Sequence, residues 1–522
     1  MRGSAAVVEA ELFLPALERA ALTQQVRARH ARLFEWTSFG VFVTILALLT
    51  LRHEMWSDEM QAWLIARDSP SILSLFHALR YEGHPALWYL LLYVPAHISA
   101  NPAIMQVINF AIGVALAAVV LFTQRLSRPL RLLIVFSYFF FYQYGVTARS
   151  YELACLMLVG AACCLTGEKQ HRKLAILLLA LSVNTHAFAA PVAGVLAFWE
   201  FYLARVRGWA DARRQLANRE FLAAFAILAA SGAIGLATVW PAPDLGPMFA
   251  FRHTFGYNLL ASASMVWLIF FPHLPSPIQV LLFPFRTSLS TTAIFSVVML
   301  AAAASLLRST KARVFFLACT ILEVIEIAVT VGWPEAYHLG FIFLSFVIAL
   351  LFDTAEAPAA VPLLISSRLR STLLIALLVP QLLCAVDVAA LDWVRPFSDA
   401  KEVSAWLVSQ RLEQNPLVLE RSEFTTGILG YLQRRSAYYS SCRCFASYEV
   451  RNIRRKLNRM ATRADLKTAR GKSTLPVILI SNRKLLPNEV SSLGLKEIYA
   501  ARQDAIDTDG VFFVYEQTGA PS

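Results

Sequence analysis

Long apolar runs separated by short polar segments occupy about the first three quarters of the chain. The runs fall at 35–51, 104–123, 132–147, 152–166, 174–185, 188–204, 221–240, 289–307, 314–332, 339–352 and 372–391. Several approach the roughly 20 apolar residues that a membrane-spanning helix needs. The pattern predicts a mainly α-helical polytopic transmembrane bundle over residues 34–392, with one crossing for each of these eleven runs.

The polar segments between the runs differ in their content of Lys and Arg, and every second segment carries a basic cluster. The clustered residues are Arg27, Arg29, Arg32, Arg125, Arg128, Arg131, Lys169, Arg172, Lys173, Arg205, Arg207, Arg213, Arg214, Arg219, Arg308, Lys311, Arg313, Arg368 and Arg370. Basic loops stay in the cytoplasm. We therefore expect a bacterial inner-membrane protein whose N-terminal amphipathic segment, 1–33, is cytoplasmic and is not a cleaved signal. The large outer loops are then 52–103 and 241–288.

The number of crossings constrains two ambiguous stretches and leaves a third open. Residues 174–204 must cross twice, yet they are barely long enough for two spans. The chain must turn near Asn184-Thr185-His186, where non-helical backbone is tolerable only beside protein or a cavity. We therefore expect a polar cavity open to the outer side. Residues 84–98 are predicted to lie along the outer surface. Residues 241–288 form either an outer loop with a surface helix or two further spans, which would make thirteen.

The composition changes after residue 392. Residues 393–522 are charged and mixed, with helix-like stretches at 398–412 and 448–464. Short strand-like runs occur at 417–419, 477–480 and 511–515. This pattern predicts a small α/β domain, and the crossing parity places it outside the cytoplasm. Its two cysteines, Cys442 and Cys444, are one residue apart, which leaves a mutual disulfide open.

Composition narrows the class of protein. Hydrophobic residues make up 57% of the chain and charged residues only 16%, which excludes a soluble protein of this length. The formal net charge is +12, but the cytoplasmic clusters explain most of it, so no nucleic-acid partner is expected. A basic face of the predicted helix at 448–464 is either solvated or in contact with anionic lipid headgroups. Its members are Arg451, Arg454, Arg455, Lys456 and Arg459.

Polar side chains concentrate on the predicted outer side of the bundle. The acidic pair Asp58-Glu59 follows the first span, and carboxylates beside a bilayer are costly and usually functional. The outward-facing set is Asp58, Glu59, Arg80, Glu82, His84, Arg149, Tyr151, Glu152, His186, Arg252, His253, Glu335, Tyr337 and His338. A carboxylate deprotonates a hydroxyl or binds a metal, whereas guanidinium and imidazole groups neutralise a phosphate. The set therefore suits a phosphorylated substrate.

Each of these residues also has an ordinary structural interpretation. Asp58 and Glu59 suit the first turn of a helix over 59–67. Arg149 and Glu152 have the spacing of an ion pair within one helix. Three histidines would likewise mark a helix start, a turn and a membrane interface: His84, His186 and His338. Their joint occurrence on one side favours a common site.

Several short segments of the outer loops carry motifs. They are Trp56-Ser57-Asp58-Glu59, Tyr81-Glu82-Gly83-His84-Pro85-Ala86-Leu87-Trp88-Tyr89, Ala148-Arg149-Ser150-Tyr151-Glu152-Leu153, Thr185-His186-Ala187-Phe188 and Tyr337-His338-Leu339-Gly340. Together they resemble the outer-loop motifs of GT-C glycosyltransferases, most closely the protein O-mannosyltransferase and aminoarabinose-transferase-like branch. The likeness covers roughly residues 35–390. The chain departs from the family at Ala86, where a second proline is usual, and before Arg149, where an acidic residue is usual.

The resemblance implies an inverting glycosyltransferase that takes a monosaccharide from a polyprenyl-phosphate carrier on the periplasmic face. Asp58 would be the base on the acceptor hydroxyl, and Glu59 would orient the acceptor. Arg149 would hold the donor phosphate with His186 or His338. The implied partners are the lipid-linked donor, membrane lipids and a glycan, lipid or protein acceptor. No cofactor is required, and a divalent cation at Asp58 and Glu59 is left open.

Two other functions fit the same charged cavity. A flippase or transporter of a lipid-linked sugar would use the cavity for binding, and such proteins favour intramembrane charges like Glu323 and Glu326. A ligase-type enzyme would keep the topology and take a diphosphate-linked glycan instead. Most charges lie at the outer edge and no inverted repeat is apparent, so the sequence favours the monosaccharide transferase.

Overall fold

A computed structural model describes residues 29–167, 169–203, 209–246, 253–272, 288–332, 334–355, 366–456, 459–502 and 504–518. The chain folds into a mainly helical body followed by a small α/β domain, as the sequence predicts. The helices of the body are α1 Arg29–Arg52, α2 Ser57–Asp68, α3 Ile72–Leu79, α4 Leu87–Ile98, α5 Ala103–Phe122, α6 Arg128–Val135, α7 Ser150–Thr166, α8 Arg172–Val183, α9 Ala189–Phe201, α10 Trp209–Leu216, α11 Arg219–Val239, α12 Phe255–Ser264, α13 Leu289–Ser305, α14 Thr310–Thr330, α15 Gly340–Ala355 and α16 Ser367–Val394.

Among the described residues, five helices are long and apolar enough to cross a membrane. They are Arg29–Arg52, Ala103–Phe122, Arg219–Val239, Ala336–Thr354 and Ser367–Val394. The chain is therefore an integral membrane protein, while the predicted number of crossings stays a prediction. The apolar run at 132–147 is not one helix, because α6 is followed by a π-helix at Tyr138–Gln143. Residues 1–28 of the predicted amphipathic segment lie outside the described residues.

Helix α15 lies at the centre of the helical body. Its residues Phe341, Phe343 and Phe346 are fully buried. A helix that is apolar on all sides has to be surrounded by protein or lipid, and α15 packs on α7, α9 and α14. The run at 257–271 joins this core, where the ring of Phe270 lies 5.5 Å from that of Phe346. Residues 247–252 and 273–287 of the same predicted outer loop lie outside the described part of the chain.

The predicted turn between the two short apolar runs is confirmed. Helix α8 ends at Val183 and α9 begins at Ala189, so the chain reverses at Asn184-Thr185-His186. The carbonyl oxygen of Asn184 accepts a hydrogen bond of 2.8 Å from the backbone N–H of Leu87, the first residue of α4. This bond joins the turn to the predicted surface helix, which belongs to the predicted first outer loop, 52–103.

The C-terminal domain contains helices α17 Ala400–Ser409, α18 Ser422–Tyr431, α19 Arg463–Arg470 and α20 Pro487–Leu493. Its strands are β1 Leu417–Leu419, β2 Ala437–Tyr439, β3 Cys444–Ala446, β4 Ile478–Ser481, β5 Leu495–Ala500 and β6 Phe513–Gln517. They form one six-stranded sheet in the order β3-β2-β1-β4-β6-β5. The pairs of β1 with β2 and β4 are parallel, and the remaining pairs are antiparallel. The predicted α/β domain is therefore present.

Two local expectations about this domain have clear outcomes. The helix predicted at 448–464 is wrong, because residues 447–456 and 459–462 are irregular and helix α19 begins only at Arg463. The basic face proposed for that helix therefore does not exist. The disulfide that the sequence left undecided is present between Cys442 and Cys444, whose Cα atoms lie 5.3 Å apart. Arg443 between them adopts the left-handed region with φ of 55°.

The C-terminal domain packs directly on helix α2 of the predicted first outer loop. Trp63 and Leu64 of α2 share one buried core with Ile428 of α18 and Ile480 of β4. Helices α2 and α18 approach so closely that a Cβ at Gly430 would clash with the sulfur of Met60. The hydroxyl of Tyr431 accepts a 2.7 Å hydrogen bond from the backbone N–H of Met55. The domain is thus fixed beside the acidic pair that follows the first span.

Candidate functional site

The two residues of the acidic pair, Asp58 and Glu59, point in different directions. Both lie in the first turn of α2, and successive side chains of a helix are about 100° apart around its axis. The Asp58 side chain is 30% exposed, whereas Glu59 is fully buried. Only Asp58 is therefore accessible to a substrate.

Glu59 is held by three groups of the protein. Its Oε1 accepts a 2.6 Å hydrogen bond from the backbone N–H of Ala148. Its Oε2 accepts one of 3.2 Å from the N–H of Trp56 and lies 3.0 Å from Nε2 of His53. Nδ1 of the same imidazole lies 2.8 Å from the Asp392 carboxylate of α16. The interpretation of the acidic pair as residues that stabilise the first turn of a helix therefore holds for Glu59. Glu59 also joins α2 to the loop before α7 and, through His53, to α16.

The two flanking carboxylates stabilise the charged form of His53. Burial alone would lower the pKa of this imidazole, but Glu59 and Asp392 outweigh it and raise the pKa to about 10. A histidine with a raised folded pKa stabilises the protein fully below its unfolded pKa of 6.5 and ceases to do so above its folded pKa. We expect the unfolding temperature in detergent to fall between pH 6.5 and about 10.

A His53→Gln variant tests this pH dependence. Glutamine keeps a hydrogen-bonding side chain but has no titratable charge. The unfolding temperature of the variant is therefore expected to be lower than that of wild type and to change less with pH across the same range. Differential scanning fluorimetry at matched ionic strength measures both proteins. Identical pH profiles for the two would show that His53 is not the responsible group.

Arg149 faces the accessible carboxylate of Asp58. Its Nη1 lies 3.4 Å from Oδ2 of Asp58, and Nη1 is buried without a hydrogen bond to the described residues. Its guanidinium carbon lies 5.9 Å, 5.1 Å and 5.3 Å from the ring centroids of Trp56, Tyr151 and Tyr337. An aromatic cage of this kind holds a guanidinium by cation–π attraction and leaves its N–H groups free for an anion. The alternative interpretation of Arg149 as the ion-pair partner of Glu152 is wrong, because both carboxylate oxygens of Glu152 are buried without a hydrogen bond to the described residues.

Two histidines lie against the same cage. The ring of His186 is 4.1 Å from that of Tyr151 and 5.2 Å from that of His84. Nδ1 of His186 accepts from the backbone N–H of Phe188 at 3.2 Å, so the proton sits on Nε2. That Nε2, like Nδ1 of His84, is buried without a hydrogen bond to the described residues. The site therefore offers unsatisfied imidazole nitrogens next to Arg149.

Both imidazoles are neutral at physiological pH. Burial, together with the positive charges of Arg149 and Arg451, lowers the pKa of His84 to about 3. Burial lowers the pKa of His186 well below its usual value, and His84 and Arg149 act in the same direction. Neutral imidazoles donate a hydrogen bond without adding charge.

The segment before α15 closes the cage. The ring of Tyr337 lies 4.2 Å from that of His338, and its carbonyl oxygen accepts a 2.6 Å hydrogen bond from the hydroxyl of Tyr144. Nδ1 of His338 accepts from the backbone N–H of Glu335 at 2.9 Å, and its ring lies 5.8 Å from that of Phe188. The structure thus brings Asp58, His84, Arg149, Tyr151, His186, Tyr337 and His338 into one cluster.

Glu82 reaches the cluster through Gln61 of α2. Nε2 of Gln61 donates to Glu82 at 2.8 Å and to the carbonyl oxygen of Glu449 at 2.7 Å. Burial raises the pKa of the Glu82 carboxyl, against the opposing influence of Arg451. Gly83, which follows Glu82, has φ of +75° and turns the chain so that His84 enters the cluster.

The other predicted site residues lie elsewhere. Arg80 donates to the carbonyl oxygens of Trp240 and Pro241 at 3.0 Å and 3.2 Å, so it stabilises a loop. His253 is exposed and its ring lies 4.7 Å from that of Tyr257. Arg252 lies outside the described residues. In the described part of the chain, no group of three or more His, Cys, Asp or Glu side chains is arranged to hold a metal ion.

Sequence reasoning missed three residues at or behind the site. His53 lies six residues before Glu59, and a histidine at the end of a span is a local signal that could have indicated it. Gln61 and Arg451 carry no such signal. They come together because Glu449 pairs with Gln61 across 388 residues of sequence.

Comparison with known proteins yields little. No family model and no curated protein match the chain. Among solved structures, it is similar to a mutant of the mycobacterial arabinofuranosyltransferase AftD, with 15% sequence identity and a TM-score of 0.38. The match covers 93% of this chain and 42% of that one, so the chain spans less than half the length of AftD. A likeness at this level assigns neither substrate nor mechanism.

Proposed function

We propose that this protein is a GT-C-type glycosyltransferase that moves a monosaccharide from a polyprenyl phosphate to an acceptor hydroxyl at the outer face of the membrane. One observation carries the proposal. An accessible carboxylate, Asp58, lies 3.4 Å from a caged guanidinium, Arg149, which has an unsatisfied buried N–H. The resemblance of the outer-loop motifs to those of the GT-C family supports the proposal, because it implies the role of base for Asp58 and that of phosphate ligand for Arg149.

The proposed reaction is a single displacement at the anomeric carbon. The acceptor oxygen forms a bond to this carbon, and the bond from the carbon to the phosphate oxygen breaks. The proton of the acceptor hydroxyl passes to Asp58, and the bonding electrons leave with the polyprenyl phosphate. Sugar displacements of this type pass through an oxocarbenium-like state, so one base and a clamp for the departing phosphate suffice.

Arg149 and the two neutral histidines supply the clamp. The guanidinium binds two phosphate oxygens as a fork, and the imidazole N–H groups of His84 and His186 donate to the phosphate. Arg149 is also the N-cap residue of α7, where the partial positive charge of the helix end favours an anion. Every element of the clamp belongs to the membrane body, which suits a phosphate carried by a lipid.

The ion pair of Asp58 with Arg149 couples donor binding to activation of the base. Asp58 and Arg149 are each other's partners in the structure, through a single contact of 3.4 Å. The donor phosphodiester carries one negative charge, as a carboxylate does, but it can accept two N–H bonds from the guanidinium. Asp58 is then released toward the acceptor only when the donor is in place.

Reconstituted protein tests the proposal. Proteoliposomes receive a panel of synthetic polyprenyl-phosphate monosaccharides with mixed hydroxyl acceptors, and mass spectrometry measures release of polyprenyl phosphate and the new glycosidic bond. We expect both products from at least one donor, with inverted anomeric configuration. Movement of intact lipid-linked sugar across the bilayer without cleavage would identify a transporter instead. Transfer only from a polyprenyl-diphosphate glycan supplied in a parallel sample, with release of the polyprenyl diphosphate, would identify a ligase-type enzyme.

A further inference from the structure

Gln61 of helix α2 bonds a segment of the C-terminal domain, residues 449–451, beside Glu82. Its Oε1 accepts from the backbone N–H of Glu449 at 3.0 Å, and its Nε2 donates to the carbonyl oxygen of the same residue at 2.7 Å. The same Nε2 donates to Glu82 at 2.8 Å. One amide thus fixes the position of residues 449–451 relative to Glu82.

Other contacts support the segment from behind. The backbone N–H of Gly246 donates to the carbonyl oxygen of Arg451 at 2.8 Å. Arg455 pairs with Glu449 and lies 3.2 Å from Glu423 of α18. The segment is therefore bonded to α2 through Gln61, to Gly246 of the membrane body and to α18 through Arg455.

Arg451 extends from this segment, two residues after the Glu449 carbonyl group that shares the Gln61 amide with Glu82. Its Nε lies 3.8 Å from the Glu449 carboxylate, and 41% of its side chain is exposed. The negative charge of Glu82 raises the pKa of Arg451, and Glu449 and Asp58 act in the same direction. The guanidinium is thus an accessible cation, delivered by a different part of the chain from Arg149.

We propose that Arg451 and Glu82 form the acceptor subsite and that the acceptor is a glycan; this inference builds on the transferase function proposed above. A carboxylate accepts hydrogen bonds and a guanidinium donates them in a rigid fork. Neighbouring sugar hydroxyls both donate and accept, so a Glu82–Arg451 pair matches two of them at once. A serine or threonine side chain offers a single hydroxyl and leaves half of this pair unused.

Kinetics with the reconstituted full-length protein test the subsite. The Arg451→Gln variant is expected to raise the KM for a neutral disaccharide acceptor about 10- to 100-fold, the loss of a hydrogen bond from a charged group. Its kcat at saturating acceptor and its KM for the donor should stay near wild type. The matched control is Arg454→Gln, an exposed arginine of the same segment, which should leave all three constants unchanged.

A second variant separates recognition from folding. Gln61→Ala leaves the charge of Arg451 but releases its segment, so it should raise the acceptor KM while the unfolding temperature stays close to that of wild type. Arg451→Lys keeps the charge without the fork and should recover only part of the affinity. An unchanged acceptor KM in Arg451→Gln, or efficient transfer to a serine peptide but not to disaccharides, would overturn the subsite.

Binding without a donor distinguishes the two proposals. Saturation-transfer NMR measures contact of methyl mannobioside and methyl arabinobioside with the wild-type protein and with Arg451→Gln in detergent. Disaccharide binding that Arg451→Gln weakens supports the subsite even where no donor is turned over. Transfer in the wild type with equal disaccharide binding by both proteins overturns the subsite alone.

Discussion

Replacing Asp58 with Asn is expected to reduce sugar transfer by about 10²- to 10⁴-fold, the usual contribution of a general base. Asparagine has the size of aspartate but cannot take the proton of the acceptor hydroxyl. Donor affinity should be retained or should rise, because Arg149 loses a competing carboxylate 3.4 Å away. The initial rate of polyprenyl-phosphate release at saturating donor and acceptor measures the first effect. Binding of a fluorescent polyprenyl phosphate measures the second.

Asp68→Asn is the matched control for this experiment. Asp68 lies at the other end of the same helix, where it pairs with Arg67 at 2.7 Å, away from the cluster. Any loss of activity in this variant should follow the amount of folded protein rather than the rate constant. Transfer by Asp58→Asn at close to the wild-type rate would remove Asp58 from the role of base.

Replacing Arg149 with Ala is expected to lower kcat/KM for the donor by roughly 10²- to 10³-fold, since the donor phosphate loses a buried charged partner. The loss should be visible in binding as well as in turnover, because the guanidinium contacts the phosphate before and during the reaction. Arg149→Lys should recover only part of it. A lysine restores the charge but neither the fork nor the fit between Trp56, Tyr151 and Tyr337.

Arg80→Ala is the control for charge alone. Arg80 comes from the same predicted outer side but bonds carbonyl oxygens of residues 240 and 241. Its removal should leave the affinity for polyprenyl phosphate unchanged. Equal donor affinity in Arg149→Ala and wild type would exclude Arg149 from the clamp and leave the imidazoles as the phosphate ligands.

The two variants separate binding from chemistry. Asp58→Asn should affect the rate of the displacement with little cost in donor binding, and Arg149→Ala should affect both. Glu59 provides a useful contrast, since it is fully buried and bonded to Trp56, Ala148 and His53. Because of this burial we propose a structural role for Glu59 in place of orienting the acceptor: it bonds α2 to the loop before α7 and to His53.

Local sequence patterns determined the class of the protein and predicted that its polar residues collect on one side of the bundle. Apolar runs of helical length and a bias of Lys and Arg are properties of short segments, and they predicted a helical membrane body and an α/β domain. The same reasoning placed a turn at Asn184-Thr185-His186 and singled out Asp58 and Arg149, which the fold brings within 3.4 Å.

Only the tertiary structure decided which members of the polar set share a site. The direction of a side chain depends on the helix packed beside it, so Glu59 turns toward His53 and Asp392 while its neighbour Asp58 stays accessible. The position of Arg451 depends on the packing of the C-terminal domain against α2. One hydrogen bond of that contact, from Glu449 to Gln61, joins residues 388 positions apart in the sequence. No periodicity or charge bias encodes such a contact, because it arises when two separately formed surfaces bury each other.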